Sequence, residues 1–140
     1  MIILSIDLGD RRTGLAMCDK AESLAYPLEV IDEVDRQKLA EKIKQKVIEK
    51  NCELIVLGLP KNMDGTLGSS AKKSIEFKNL LETMVTVPIV FWDERRTTVS
   101  ASFYLNKTNI RGKKRKSIID TLSASIILEN FLNYRKNSSN

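Results

Sequence analysis

The segment Leu54-Ile55-Val56-Leu57-Gly58 has no polar side chain. A strand with one wet face alternates apolar and polar residues, whereas an unbroken apolar run of this length needs cover on both faces. The chain must therefore place helices on both sides of a sheet. Its 140 residues leave room for one such layered unit. Residues 1–135 are read as a single domain, and the Asn/Ser-rich residues 136–140 as a frayed tail.

The remaining elements fit around that strand. Residues 2–8 form a buried strand ending at Asp7, followed after the Gly14 turn by strands over 15–18 and 24–31. The short links between these three predict an antiparallel meander. Asp35 caps a helix whose apolar face is Leu39, Ala40, Ile43, Val47 and Ile48. After the 54–58 strand comes a polar turn-rich loop, then a helix over 69–84 and a strand over 88–92. Thr97 or Thr98 caps another helix, residues 107–116 form a basic loop, and Ser117 opens a last apolar helix to about residue 134. The pattern β-β-β-α-β-α-β-α-α implies an α/β fold, a mixed five-stranded sheet of order 3-2-1-4-5 with helices on both faces. Asp7 then ends the central strand, Gly58 the next, and Asp93 and Glu94 follow the one after. Ligands of open α/β sheets favour this edge.

There is no histidine, so every mechanism that uses imidazole as base or ligand is excluded. Cys18 and Cys52 alone cannot make a four-ligand zinc site, and both lie in apolar runs, as reduced core residues do. Catalysis would fall to carboxylates, amines or a metal. The net charge of +5 favours an anionic partner. The apolar start lacks a basic flank and meets Asp7 quickly, so neither a signal peptide nor a membrane span is expected, and the cytoplasm is the expected location.

Three acids stand out. Five of the six residues before Asp7 are apolar, and a charge so placed needs a partner such as a metal ion; an Asx turn is the plainer use. Asp93 and Glu94 are adjacent in an extended segment and point opposite ways. One is expected to face the site, the other to pair with an arginine or cap a helix. Ser117-Ile118-Ile119-Asp120 matches a capping box, yet Asp120 shares a helical face with Ser123, Ala124 and Ile127, which looks inward. Gly58 has no side chain and leaves space between Asp7 and the Glu94 segment. Lys107, Arg111, Lys113, Lys114, Arg115 and Lys116 form the one dense basic run, suited either to solvent or to a phosphate backbone.

Four blocks in order carry a family resemblance: Asp7-x-Gly9-x-x-Arg12-x-Gly14-x-Ala16-x-x-Asp19; Gly58-Leu59-Pro60 with Asn62 and Gly65; Asp93-Glu94-Arg95 with Thr97-Thr98; and Lys114-Arg115-Lys116 followed by Asp120 and Ala124. Together they resemble the YqgF family, the RuvX-type Holliday junction resolvases, over nearly the whole chain. Arg96 stands where that pattern has an apolar residue and Ser123 where it has alanine. The resemblance implies a ribonuclease-H-like fold and a nuclease active in 5′-end maturation of the 16S ribosomal RNA precursor. Asp7, Glu94 and Asp120 would then be catalytic acids holding one or two Mg²⁺ or Mn²⁺ ions, hard cations suited to oxygen ligands. Arg12, Lys61, Arg95, Lys113, Lys114, Arg115 and Lys116 would contact nucleic acid along its backbone. Two other uses of the same surface are a resolvase acting on branched DNA and a non-catalytic ribosome-assembly factor that binds nucleic acid. An actin-like ATPase or sugar kinase would need a second domain to clasp its nucleotide. RNA or DNA as substrate, and the oligomeric state, leave no readable motif.

Overall fold

In the computed structural model of the chain, residues 1–96 and 112–138 are described, 112–121 as helical backbone only. Five strands, β1 (Ile3–Asp7), β2 (Arg12–Cys18), β3 (Ala25–Asp32), β4 (Leu54–Leu59) and β5 (Ile89–Asp93), form one sheet of order β3-β2-β1-β4-β5. The first three make the antiparallel meander, and β4 and β5 add in parallel. This is the order expected from the element pattern. The helices are α1 (Arg36–Glu49), α2 (Ser69–Glu82) and α3 (Gly112–Ser138), and a 3-10 turn, Glu94–Arg96, follows β5. The helix expected after Thr97 or Thr98, with Lys107 and Arg111, lies outside the described residues. Among those described, no helix is long and apolar enough to cross a membrane.

Strand alternation divides the core in two. Leu4, Ile6, Leu15, Ile55 and Leu57 pack under α1 and α2 with Leu39, Ile43, Phe77 and Leu81. Ile3, Ala16, Cys18, Val56 and Trp92 pack on the other face, against Ala124, Ile127, Leu128, Phe131 and Leu132 of α3. The β4 run is buried throughout, as its double cover requires. Both cysteines are free and buried, and burial pushes the Cys52 thiol up to about 11.

Asp35 caps α1 as expected, its carboxylate accepting from Lys38 N at 2.9 Å. One face residue and three boundaries differ from the sequence reading. Ile48 is 61% exposed, because it sits five residues past Ile43, roughly 140° round the helix. The second strand begins at Arg12, so Gly14 lies inside it, opposite Asp7, instead of in the turn. The basic residues 113–116 are not a loop: they form the opening turns of α3. Lysine and arginine are good helix formers, and a helix nucleated on the packed residues 124–132 extends through them. The same shift removes the capping box, since Asp120 stands eight residues inside α3. At the far end α3 runs through Ser138, so residues 136–138, expected to fray, are helical. Arg135 anchors that end on Glu22, at 2.7 and 3.1 Å.

Candidate active site

Asp7 ends β1 half-buried, and the two-residue period puts it on the α3 face with Ile3 and Ser5. Its neighbours at that level are glycines on both sides. Gly14 is its partner on β2, and Gly58 follows Leu57, the partner of Ile6, on β4. The hairpin beyond Asp7 turns tightly: a Cβ at Gly9 would lie 2.0 Å from the Arg12 carbonyl oxygen, a collision no other residue could avoid. Arg12 opens β2 and by alternation shares the α3 face with Gly14 and Ala16.

Glu94 opens the 3-10 turn and folds back over Gly58. A Cβ at Gly58 would sit 3.1 Å from Glu94 Cδ and 2.9 Å from Ile127 Cδ1. The bare backbone of Gly58 therefore makes the floor on which the carboxyl rests. Among the described residues no donor or cation meets that carboxyl. Burial, and then the charge of Asp93, hold its pKa above the ordinary carboxylate value. Asp93 moves the other way. Arg95 chelates it, with Nε 3.1 Å from each oxygen, Nη2 at 2.7 Å and the Arg95 amide at 3.0 Å, which lowers its pKa. The two adjacent acids thus divide the work as their alternation implied: Asp93 is the arginine partner, and Glu94 turns to the glycine floor beneath α3.

Arg95 also reaches the Met63 carbonyl with Nη1 at 3.4 Å, tethering the loop after β4 to this edge. That loop is closed by Gly65 N donating to Asn62 O and Asn62 N to Thr66 O, with Gly65 at a φ of 89°. Lys61 lies half-buried at its start, close enough to help hold the Asp93 carboxyl charged.

Asp120 enters through the backbone of α3. Ser5, fully buried, donates its hydroxyl to the Ala124 carbonyl at 2.9 Å. Farther along α3, Arg135 binds Glu22, whose carboxylate also holds the Met1 amino group just before β1, so the helix runs antiparallel to β1. One helical turn back from Ala124 is Asp120, a rise of about 6 Å. Two residues forward from Ser5 is Asp7, about 6.6 Å along the strand. The matched steps bring the Asp120 position level with Asp7. The described residues alone contain no group of three candidate metal ligands, and the Asp120 side chain is not among them.

Sequence reasoning missed two supports. The Ser5 hydroxyl carries no motif; an isolated serine inside an apolar strand was the one available signal. Arg96, set where an apolar residue was expected, lays its guanidinium 4.5 Å from the Trp92 ring centre and 4.7 Å from that of Tyr134. Its position is solved by stacking on aromatics, not by burial.

The fold resembles two solved structures of RuvC from Thermus thermophilus. One, in complex with a Holliday junction substrate, has a TM-score of 0.65 at 11% identity, covering 99% of this chain and 97% of that one. The other has a TM-score of 0.54 at 14% identity, covering 98% and 97%. These likenesses show a ribonuclease-H-like fold. In sequence, the chain is 41% identical over 138 residues to a protein of Thermoanaerobacter pseudethanolicus, spanning 98% of this chain and 99% of the relative. It is 42% identical over 135 residues to one of Halothermothrix orenii, spanning 96% of each. Both relatives bear the name "Putative pre-16S rRNA nuclease". The family described as "RuvX: Holliday junction resolvase" matches residues 1–134, and with relatives above 40% identity along nearly its whole length the chain belongs to the RuvX family.

Proposed function

We propose that this protein is a metal-dependent nuclease that hydrolyses phosphodiester bonds in the precursor of 16S ribosomal RNA, trimming its 5′ end in the cytoplasm. Asp7, Glu94 and Asp120 are its catalytic acids, and residues 1–135 work as one domain. The observation that carries this reading is Glu94: a carboxyl held over a glycine, among the described residues unmatched by any cation, on the sheet face and edge of Asp7. Such a group costs free energy unless a positive charge compensates it.

The donor set fits Mg²⁺ or Mn²⁺, since it offers carboxylate oxygens with neither imidazole nor thiolate nearby. Bound there, such ions would supply an acidified water and charge stabilisation for the leaving oxygen, the chemistry that a chain without histidine lacks. The protein's own residues do the rest. Gly14 and Gly58 keep side chains out of the space around Asp7. Arg95 neutralises Asp93, so of that adjacent pair Glu94 is the acid left to serve with Asp7 and Asp120. Arg12, Lys61 and Arg95 surround that edge, and Lys113, Lys114, Arg115 and Lys116 open the helix that carries Asp120, so a polyanion would be held by its phosphates rather than read by its bases.

The substrate assignment draws on the names of the relatives; action on branched DNA is the second reading, drawn from the family description. Matched precursor RNA and four-way DNA junctions, incubated with Mg²⁺ or Mn²⁺ and with EDTA, separate the two. Asp7→Asn should abolish cleavage while leaving nucleic-acid binding nearly intact. Cleavage that persists in EDTA or in Asp7→Asn would refute metal catalysis by these acids.

A further inference from the structure

On the opposite face of the same sheet edge, a cavity of about 140 Å³ is lined by Leu8, Gly9, Asp10, Arg36, Ser70 and Lys73. Three elements meet there: the turn just beyond Asp7, the start of α1 and the start of α2. Two cations converge on one acid. Lys73 Nζ lies 2.9 Å and Arg36 Nη2 3.8 Å from Asp10, whose side chain is 80% exposed. Arg36 Nη2 also donates to the Gly9 carbonyl at 2.9 Å, while its Nη1 is buried with no acceptor. The cluster therefore carries one surplus positive charge and one unmatched donor.

α2 adds to this. Its cap residue, Gly68, has no side chain to accept from the first-turn amides, and no acid stands in that first turn. A helix start left this way favours an anion. An exposed pair such as Asp10–Lys73 is weak and exchanges readily, so Asp10 can turn to solvent when a stronger acceptor enters. The required ligand is small, has several acceptor oxygens and is negative. A phosphodiester of an incoming strand meets that description, and the strand must already pass this edge to reach Asp7.

We propose that this cavity is a phosphate subsite, binding a backbone phosphate of the substrate strand away from the bond that is cut. Arg36 and Lys73 supply charge, and the α2 amides with the Ser70 hydroxyl supply directed donors. The subsite rests on the nuclease reading for its strand, yet it can be tested without turnover.

The test uses the full chain, ¹⁵N-labelled, in EDTA. Inorganic phosphate should shift the amides of Ser69, Ser70 and Ala71, and a short single-stranded oligonucleotide should shift the same signals at far lower concentration. Arg36→Ala would remove the bond that holds the Gly9 turn, so Lys73→Ala and Ser70→Asp, both on the exposed side, are the test variants. Each should melt like wild type and bind the oligonucleotide roughly tenfold more weakly, the loss expected for a charge-assisted bond. Lys73→Ala should also reduce the log–log salt slope by about 0.7. Replacing successive linkages with neutral methylphosphonates should reproduce the loss at one linkage only.

Wild-type affinity and slope in both variants would overturn the proposal. So would phosphate shifts that the oligonucleotide neither reproduces nor displaces, which would mean a free-anion site. A chain that cuts no substrate yet shows these losses sinks the nuclease reading and leaves the subsite standing. One that cuts, with binding indifferent to Lys73 and Ser70, sinks the subsite alone.

Discussion

Gly58→Ala separates packing from chemistry. The new methyl would stand 2.9 Å from Ile127 Cδ1, 3.1 Å from Glu94 Cδ and 3.2 Å from Glu94 Oε2. Carbon pairs rest at about 3.5–4.0 Å, so each neighbour must withdraw by roughly 0.5–1 Å. Both are ends of side chains and can do so. Overpacking of this kind costs about 1–3 kcal/mol. Restricting the unfolded chain at a glycine that does not use positive φ returns about 0.4–1 kcal/mol. The net loss, near 1 kcal/mol, lowers Tm by about 3–5 °C for a chain of this size. Activity should suffer far more, because a displacement of ~1 Å at a reacting centre costs about a hundredfold. Ile127→Val removes Cδ1 and with it one of the two clashes. The double variant should therefore melt no lower than Ile127→Val alone and still cut tens of times more slowly than wild type. Thermal melts beside initial cleavage rates read both quantities. Wild-type cleavage by Gly58→Ala, with the drop in Tm present, would show that Glu94 takes no part in the reaction.

Three further outcomes follow from the same geometry. In EDTA, Glu94→Gln should be more stable than wild type at neutral pH. The folded pKa of Glu94 lies above its ordinary 4.5, so its ionised form costs stability there, and that cost shrinks once pH falls below the folded value and is gone below the ordinary one; an advantage independent of pH would contradict this. Lys114→Ala with Arg115→Ala should weaken nucleic-acid binding at low salt and flatten its salt dependence, while melts change by less than ~0.5 kcal/mol; unchanged binding would make this end of α3 a solvated helix start. Arg96→Ala should lose about 0.5–2 kcal/mol of stability and alter the fluorescence of Trp92, the single tryptophan; an unaltered spectrum would mean that the stack does not persist in solution.

The sheet was legible because its signals are local and of one kind. The doubly covered β4, the short links of the meander and the Asp35 cap each depend on a few adjacent residues, and the strand order follows from them. Of the candidate site, the sequence pointed to Asp7, Gly58 and the Asp93-Glu94 pair, which the fold brings to one edge of the sheet. Which of the two acids faces inward was not legible, because that depends on where Arg95 can reach, and this is set by the turn after β5. The start of α3 was misplaced for a related reason. Residues 113–116 are polar enough to pass for a loop, and their helicity comes from the packing of residues more than a turn away. The role of Ser5 was not legible, since the partner of its hydroxyl is 119 positions distant in sequence.

The Ser5–Ala124 bond fixes the zero of a ruler. From it to Asp7 is two strand residues, and from it to the Asp120 position is one turn of helix. Small errors in twist, tilt or bend therefore have almost no length over which to grow. A slip of α3 along the sheet would have to break this buried bond first. The level of the two positions is thus set by the core directly beneath them, and distant loops can vary in length or composition without moving one past the other.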